Sequence, residues 1–146
     1  MTMPMDTDRL INGSFGELWE DGQWLDNVDS VTAEVAIEKI NVKVAGTRWE
    51  GHKVIGLSGT GTVSGYKVTS KMIQQQIWAA GDRGVPTTTE LIAKLDDPES
   101  YGHERVRLLN VKYDKVTLAN YTVGEVVKEE TPFTFTRFEL LDPIEA

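Results

Sequence analysis

The sequence predicts a mainly β domain, an antiparallel β-sandwich or barrel-like sheet with one flanking α-helix. Three observations predict it. Most of the chain alternates apolar and polar residues with a period of two. The Asp21-Gly22 pair sits between two short tryptophan-bearing runs, "GELWE" and "QWLDN", which is a strong hairpin signal. Only "TSKMIQQQIWAAGDRG" carries a helical period with a cap and a stop.

The elements follow in order. Trp19 and Trp24 flank the Asp21-Gly22 turn and are placed to pair across it. In "SVTAEVAIEKINVKV", Val31, Ala33, Val35 and Ile37 point one way. After a one-residue slip near Lys39, Ile40, Val42 and Val44 continue the pattern, which predicts a β-bulge or bend. At around 14 residues this strand is far longer than the usual five or six, so it curves or runs beyond the body of the domain. "LSGTGTVSGYKV" alternates again. The helix is predicted over Ser70–Ala80, capped by Thr69 or Ser70, with Ile73, Ile77 and Ala80 on one face and Gly81 at its end. Its glutamines, Gln74 to Gln76, face outward or toward a neighbour. "PTTTELIAKLDD", "ERVRLLNVKYD", "KVTLANYTVGEVVKEE" and "PFTFTRFEL" read as four further strands, with slips between Leu108 and Leu109 and between Phe135 and Phe138. With no repeat, linker or low-complexity stretch, residues 1–146 are predicted to form a single domain.

Composition narrows the function. The 146 residues suffice for one ordinary core, and 40% hydrophobic content is that of a globular chain. No apolar run approaches the length of a membrane span, and the N-terminus lacks a basic-then-apolar leader. There is no cysteine, which excludes disulfides, thiolate metal sites and a cysteine nucleophile. Those features predict a protein that stays in the cytoplasm where it is made. A net charge of −8 argues against a partner gripped through nucleic-acid phosphates, since the 15 basic residues are outnumbered and scattered.

The glycine-rich stretch "RWEGHKVIGLSGTGTVSGYKVTS", residues 48–70, invites a phosphate-loop reading and fails it. Gly56 and Gly61 have Walker spacing, but Thr62-Val63 follows where a lysine and a hydroxyl residue must reach the phosphates and magnesium. Gly59-x-Gly61 is followed by Gly65, one residue too far for a dinucleotide fingerprint, and no βαβ unit surrounds it. Alternating Gly, Ser and Thr instead make a narrow strand against which a backbone or bulky side chain lies closely.

Other candidate sites are weak. His52 falls in an expected loop and His103 at a strand start, with no metal-ligand spacing around either. "LDDPES" (Asp96, Asp97, Glu99) lacks the ligand pattern of a calcium loop and reads as a turn begun at Pro98. Glu125, Glu129 and Glu130 read as a solvated acidic run, and the sequons at Asn12 and Asn120 as chance matches. No nucleophile elbow or base partner appears. The sequence offers no catalytic, metal or cofactor residues, and predicts a protein that is not an enzyme.

The order of the pieces carries a resemblance. "GHK" at Gly51–Lys53, "GTGT" at Gly59–Thr62, "YKVTSK" at Tyr66–Lys71, "ER" at Glu104–Arg105 and "EETPFTF" at Glu129–Phe135 together resemble the XkdM-type tail tube proteins of contractile phages, phage-like bacteriocins and defective prophages. The match runs from about Asn12 to Asp142, and "LWEDGQWL" keeps the family's "G-x-L-x-x-D-G" outline with bulkier residues.

The resemblance implies a structural subunit whose hexameric rings stack into a hollow tube, for DNA passage in a phage or envelope penetration by a bacteriocin. It implies a sheath, a tape measure protein and baseplate or initiator proteins as partners, and a place in the tail of a virion or phage-like particle assembled in the host cytoplasm. DNA would pass through the lumen without specific binding. It further implies that residues 45–57 form a long inter-subunit loop anchored by Trp49, with Arg48, Glu50, His52, Lys53 and Ile55 in contact, and hinged at Gly46, Gly51 and Gly56. Residues 1–11 are expected to be a flexible N-terminal arm that orders against a neighbouring ring. Related tube-fold proteins, a type VI secretion tube component or a tail terminator, stay open as alternatives. A ligand-binding β-sandwich using Trp19, Trp24, Trp49 and Trp78 is a weaker one, because they do not share one strand face.

Overall fold

The computed structural model describes residues 5–76, 82–83 and 88–145. Eight strands dominate: β1 Gly16–Glu20, β2 Gln23–Trp24, β3 Val28–Lys43, β4 Glu50–Tyr66, β5 Thr89–Leu95, β6 Glu104–Tyr113, β7 Lys128–Phe135 and β8 Arg137–Asp142. They form one antiparallel sheet in the order β2-β1-β5-β6-β7-β4-β3, with β8 also paired to β6. The sheet is mainly antiparallel as expected but does not close: β2 and β3 remain its two ends.

The first turn forms as its sequence demands. Asp21 and Gly22 both take positive φ, 48° and 82°, the conformation a two-residue hairpin needs. Trp19 pairs with Trp24 in register, their rings stacked with centroids 6.4 Å apart.

Two breaks in β-periodicity curl the sheet around its core. Asn110 sits at φ 55° and donates from Nδ2 to Thr136 Oγ1 at 2.9 Å. This irregularity lets Leu108 and Val111, three residues apart, both point inward, which accounts for the slip at Leu108–Leu109. On the other side Thr136 N bonds Leu109 O and divides β7 from β8, so Phe133 and Phe135 are buried while Phe138 is exposed. The core gathers Leu18, Val63, Leu91, Leu108, Val111, Phe133 and Phe135 from five strands.

The glycines of β4 serve that core. Gly59 lies opposite Phe135 and Gly61 opposite Phe133, and each phenyl ring rests directly on the bare backbone. A Cβ on Gly59 would stand 2.5 Å from Phe135 Cε2, and one on Gly65 2.6 Å from Asn27 O. On Gly61 it would overlap both Phe133 Cζ and Thr32 O. The narrow-strand reading of this stretch holds.

Four expectations need correction. Residues 45–57 are not a long loop: β4 begins at Glu50, and only residues 44–49 turn between β3 and β4. Each residue from Glu50 to Leu57 except Ile55 pairs with β3, because β-branched and alternating residues there satisfy their backbone groups across the ribbon. His52 is therefore a strand residue. Residues 115–127 are irregular, not a strand, and β7 starts at Lys128; Gly124, at φ 87°, lies within a turn there. The helix α1 covers Lys71–Gln76, with Lys71 N bonded to Thr69 Oγ1, and Gln74 is exposed as expected; Ile77, Ala80 and Gly81 lie outside the described residues. The N-terminal arm is tied to the domain at Arg9 and Asn12. Arg9 donates to Glu99 O at 2.9 Å with its guanidinium 5.2 Å from the Tyr101 ring, and Asn12 N donates to Asp97 Oδ2. Asp97 is buried and organises the turn begun at Pro98, accepting from Glu99 N as well.

The close contact at Gly61 is testable. Gly61→Ala is expected to destabilise the chain by about 1–3 kcal/mol through overpacking, whereas Gly13→Ala, with open space around it, stays within about 0.5 kcal/mol of the parent. Urea denaturation of both variants checks this; equal midpoints would show that the rings do not depend on the glycine.

Candidate assembly surface

A largely exposed ribbon extends from the body of the fold. β7 pairs with β4 only as far as Gly59, where Thr136 draws the chain away to β6. Below that point, among the described residues, β4 pairs with β3 alone, from Ser58↔Ala36 to Glu50↔Lys43. Nine residues at about 3.3 Å each carry the ribbon roughly 30 Å beyond the core. A bulge between Glu38 and Lys39 leaves Ile55 without a partner residue, as the phase slip near Lys39 foretold. Alternation along β3 then puts Ile37 and Ile40 on opposite faces, so the ribbon has apolar residues on both sides.

The six residues expected to make inter-subunit contacts all lie on this ribbon and all are exposed. Arg48 and Trp49 belong to the tip, where Gly46 takes φ 84° and Trp49 N bonds Thr47 Oγ1. Trp49 is 84% exposed and does not fold back onto its own domain. Glu50 lies opposite Lys43, and His52 opposite Asn41 with Nδ1 2.8 Å from its Oδ1. Lys53 lies opposite Ile40, on the face away from Glu50 and His52. The six share a hairpin, not a single face.

Sequence reasoning missed other exposed apolar residues. Leu118, Tyr121, Val123 and Val126 project from the irregular segment 115–127. Leu57 and Phe138 are exposed where β4 and β8 diverge. The signal was present in the alternation of residues 115–127, but it marks an exposed apolar segment with no strand to pair it. Trp19 and Trp24 stack at the other end of the sheet and Trp49 stands at the ribbon tip, so these three do not form one stacking platform; Trp78 lies outside the described residues.

Electrostatics hold the frame. Tyr113 donates to Glu20 Oε2 at 2.6 Å, bridging β6 to β1, and burial together with the Glu20 carboxylate pushes its phenol up. Arg107 donates to Glu90 across β5 and β6 at 2.8 Å. Arg105 pairs with Asp142 at the end of β8, His103 lies 3.2 Å from the same carboxylate, and these partners hold Asp142 below its ordinary range.

The isolated chain exposes 11,021 Å², whereas a compact globule of this length exposes about 7,500 Å². The excess, roughly 3,500 Å², exceeds the ~800 Å² per partner of a standard interface several-fold. Residues 3–142 match the family model for phage tail tube proteins. The chain belongs to the phage tail tube protein family. It is 37% identical over 140 residues to the phage-like element PBSX protein XkdM of Bacillus subtilis (strain 168), covering 94% of this chain and 95% of that one. The fold of this tail tube family member is similar to a chain of the PVC extracellular contractile injection system sheath–tube complex, with a TM-score of 0.71, 9% identity and coverage of 92% and 93%. It is also similar to the tube-terminating cap of the anti-feeding prophage, with a TM-score of 0.69, 11% identity and coverage of 98% and 94%.

The Asp142 cluster makes stability depend on pH. Because the folded carboxyl titrates below its ordinary 3.8, its contribution is fully present above about pH 4 and is lost as pH falls through the lower, folded value. Asp142→Asn is therefore expected to be less stable than the parent at pH 7, with the gap closing toward pH 2. Urea midpoints across that range check it, and a constant gap would rule out the charge as the cause.

Proposed function

We propose that this protein is the structural subunit of the inner tube of a phage or phage-like contractile tail, in which hexameric rings stack into a hollow conduit. The observation that carries it is the combination of a tail tube fold with a surface far in excess of a self-contained globule, part of it a ribbon with apolar residues on both faces. Such a surface is stable only when neighbours cover it, and unpaired edges at β2 and β3 call for the same remedy. A heterologous contact that closes at six makes a ring, and stacking extends it.

In this reading Trp49, with Arg48, Glu50, His52, Lys53 and Ile55, contacts an adjacent subunit or ring. A sheath surrounds the tube, a tape measure protein fills it during assembly, and baseplate or initiator proteins begin it. A net charge of −8 suits a conduit whose wall keeps DNA mobile, or one that serves envelope penetration. The role is structural, without catalysis, in a tail assembled in the host cytoplasm. The similarity to a tube-terminating cap supports a terminator as the second reading, since the fold accommodates both.

Negative-stain electron microscopy over a concentration series separates the two: tubes support a tube subunit, while single six-fold rings that never stack support a terminator. Trp49→Ala is expected to leave the monomer within about 0.5 kcal/mol of the parent, given its exposure, and to impair assembly. Unchanged assembly with a much weakened monomer contradicts its interface role. Deleting residues 2–9, of which the described residues 5–9 contribute nothing to the core, is expected to preserve the fold and impair stacking; normal tubes from the shortened chain would count against the arm.

A further inference from the structure

The divergence of β4 and β8 opens a groove at the root of the ribbon. It has a volume of about 540 Å³ and is lined by Val35, Leu57, Gly59, Phe135, Arg137 and Phe138. Its origin is the break at Thr136: β7 follows β4 to Gly59, then β8 turns to β6 while β4 continues outward. Leu57 is 68% and Phe138 55% exposed there. The Arg137 guanidinium makes no hydrogen bond, ion pair or ring contact among the described residues, although its backbone pairs with Leu109. An apolar floor beside an unpaired guanidinium is suited to an aromatic ring, which packs on the one and accepts a cation–π contact from the other.

The same chain carries an unpartnered aromatic knob. Trp49 lies at the far end of the ribbon and cannot enter its own groove. The two strands between them are paired from Lys43↔Glu50 to Ala36↔Ser58 and hold tip and groove roughly 30 Å apart. We infer that the Trp49 tip of one copy docks in the β4–β8 groove of another, with the indole against Phe138 and Leu57 and under Arg137. This rests on the tube reading and deepens it by naming the receiving surface. Knob and groove are different surfaces, so the contact is heterologous and a docked pair still offers one free tip and one free groove. The contact therefore propagates rather than ending at a dimer, and the ribbon's length sets its spacing.

The absence of cysteine permits a direct test. Arg48→Cys, beside the knob, and Ser58→Cys, on the groove wall, are purified separately, mixed at a concentration where the parent assembles, and treated with a short bis-maleimide. A one-to-one cross-linked pair is expected from the mixture and little from either variant alone. Adding Trp49→Ala to the Arg48→Cys chain should reduce the product at least about 10-fold, and Trp49→Phe should retain most of it. No cross-link in the mixture overturns the inference, as does a yield that Trp49→Ala leaves unchanged. So does a Val123→Cys chain that links to Ser58→Cys in place of the tip. Micrographs of the parent separate the two levels: tubes without the cross-link sink only the docking, whereas the cross-link without tubes sinks only the tube reading.

Discussion

Two phenylalanine rings lying on two glycines set the geometry of this molecule. Phe133 and Phe135 have no room beside β4 unless Gly61 and Gly59 present bare backbone, and without that approach β7 cannot pair with β4 in register. The pairing in turn buries Val63 and Thr131 and fixes where β3 hangs on the sheet. Cross-strand aromatic–glycine packing of this kind specifies register, because a one-residue slip would set each ring against a threonine or serine side chain.

The second constraint is that the core ends before the strands do. Asn110 and Thr136 break β6 and β7–β8 at matching heights, which turns Val111, Phe133 and Phe135 inward and sends β8 along the other half of β6. β4 loses its neighbour at that point, yet it and β3 continue as a ribbon. A two-stranded ribbon is marginal in water by itself. Its exposed Ile37, Ile40, Val42, Ile55 and Leu57 make physical sense as a surface awaiting cover. The same break that closes the core opens the groove at the ribbon's root.

The chemistry-bearing residues are consistent with a structural part. Glu20, Tyr113, Arg105, His103 and Asp142 serve as ties between strands, and Asp97 ties the N-terminal segment to a turn. The glycines that resemble a phosphate loop are spent on packing. Membership of the tail tube family and an excess of exposed surface agree in pointing outward, toward other subunits.

Much of this was legible in the chain itself. Period-two alternation specified the strands, Asp21-Gly22 the first hairpin, and the slips near Lys39, Leu108 and Phe135 each marked a real irregularity. These are local signals, set by backbone sterics and by which face of a strand is apolar. The order of short motifs also identified the family. Tertiary structure alone decided whether residues 50–57 would be loop or strand, because that depended on β3 supplying a partner. It decided likewise that residues 115–127, which alternate as well as any strand, find none. It brought Leu57, Arg137 and Phe138 into one groove, 80 residues apart in sequence, through a bend at Thr136 that no single segment encodes. Alternation states which residues seek burial; only the paired sheet determines which of them achieve it within one chain and which are left for another.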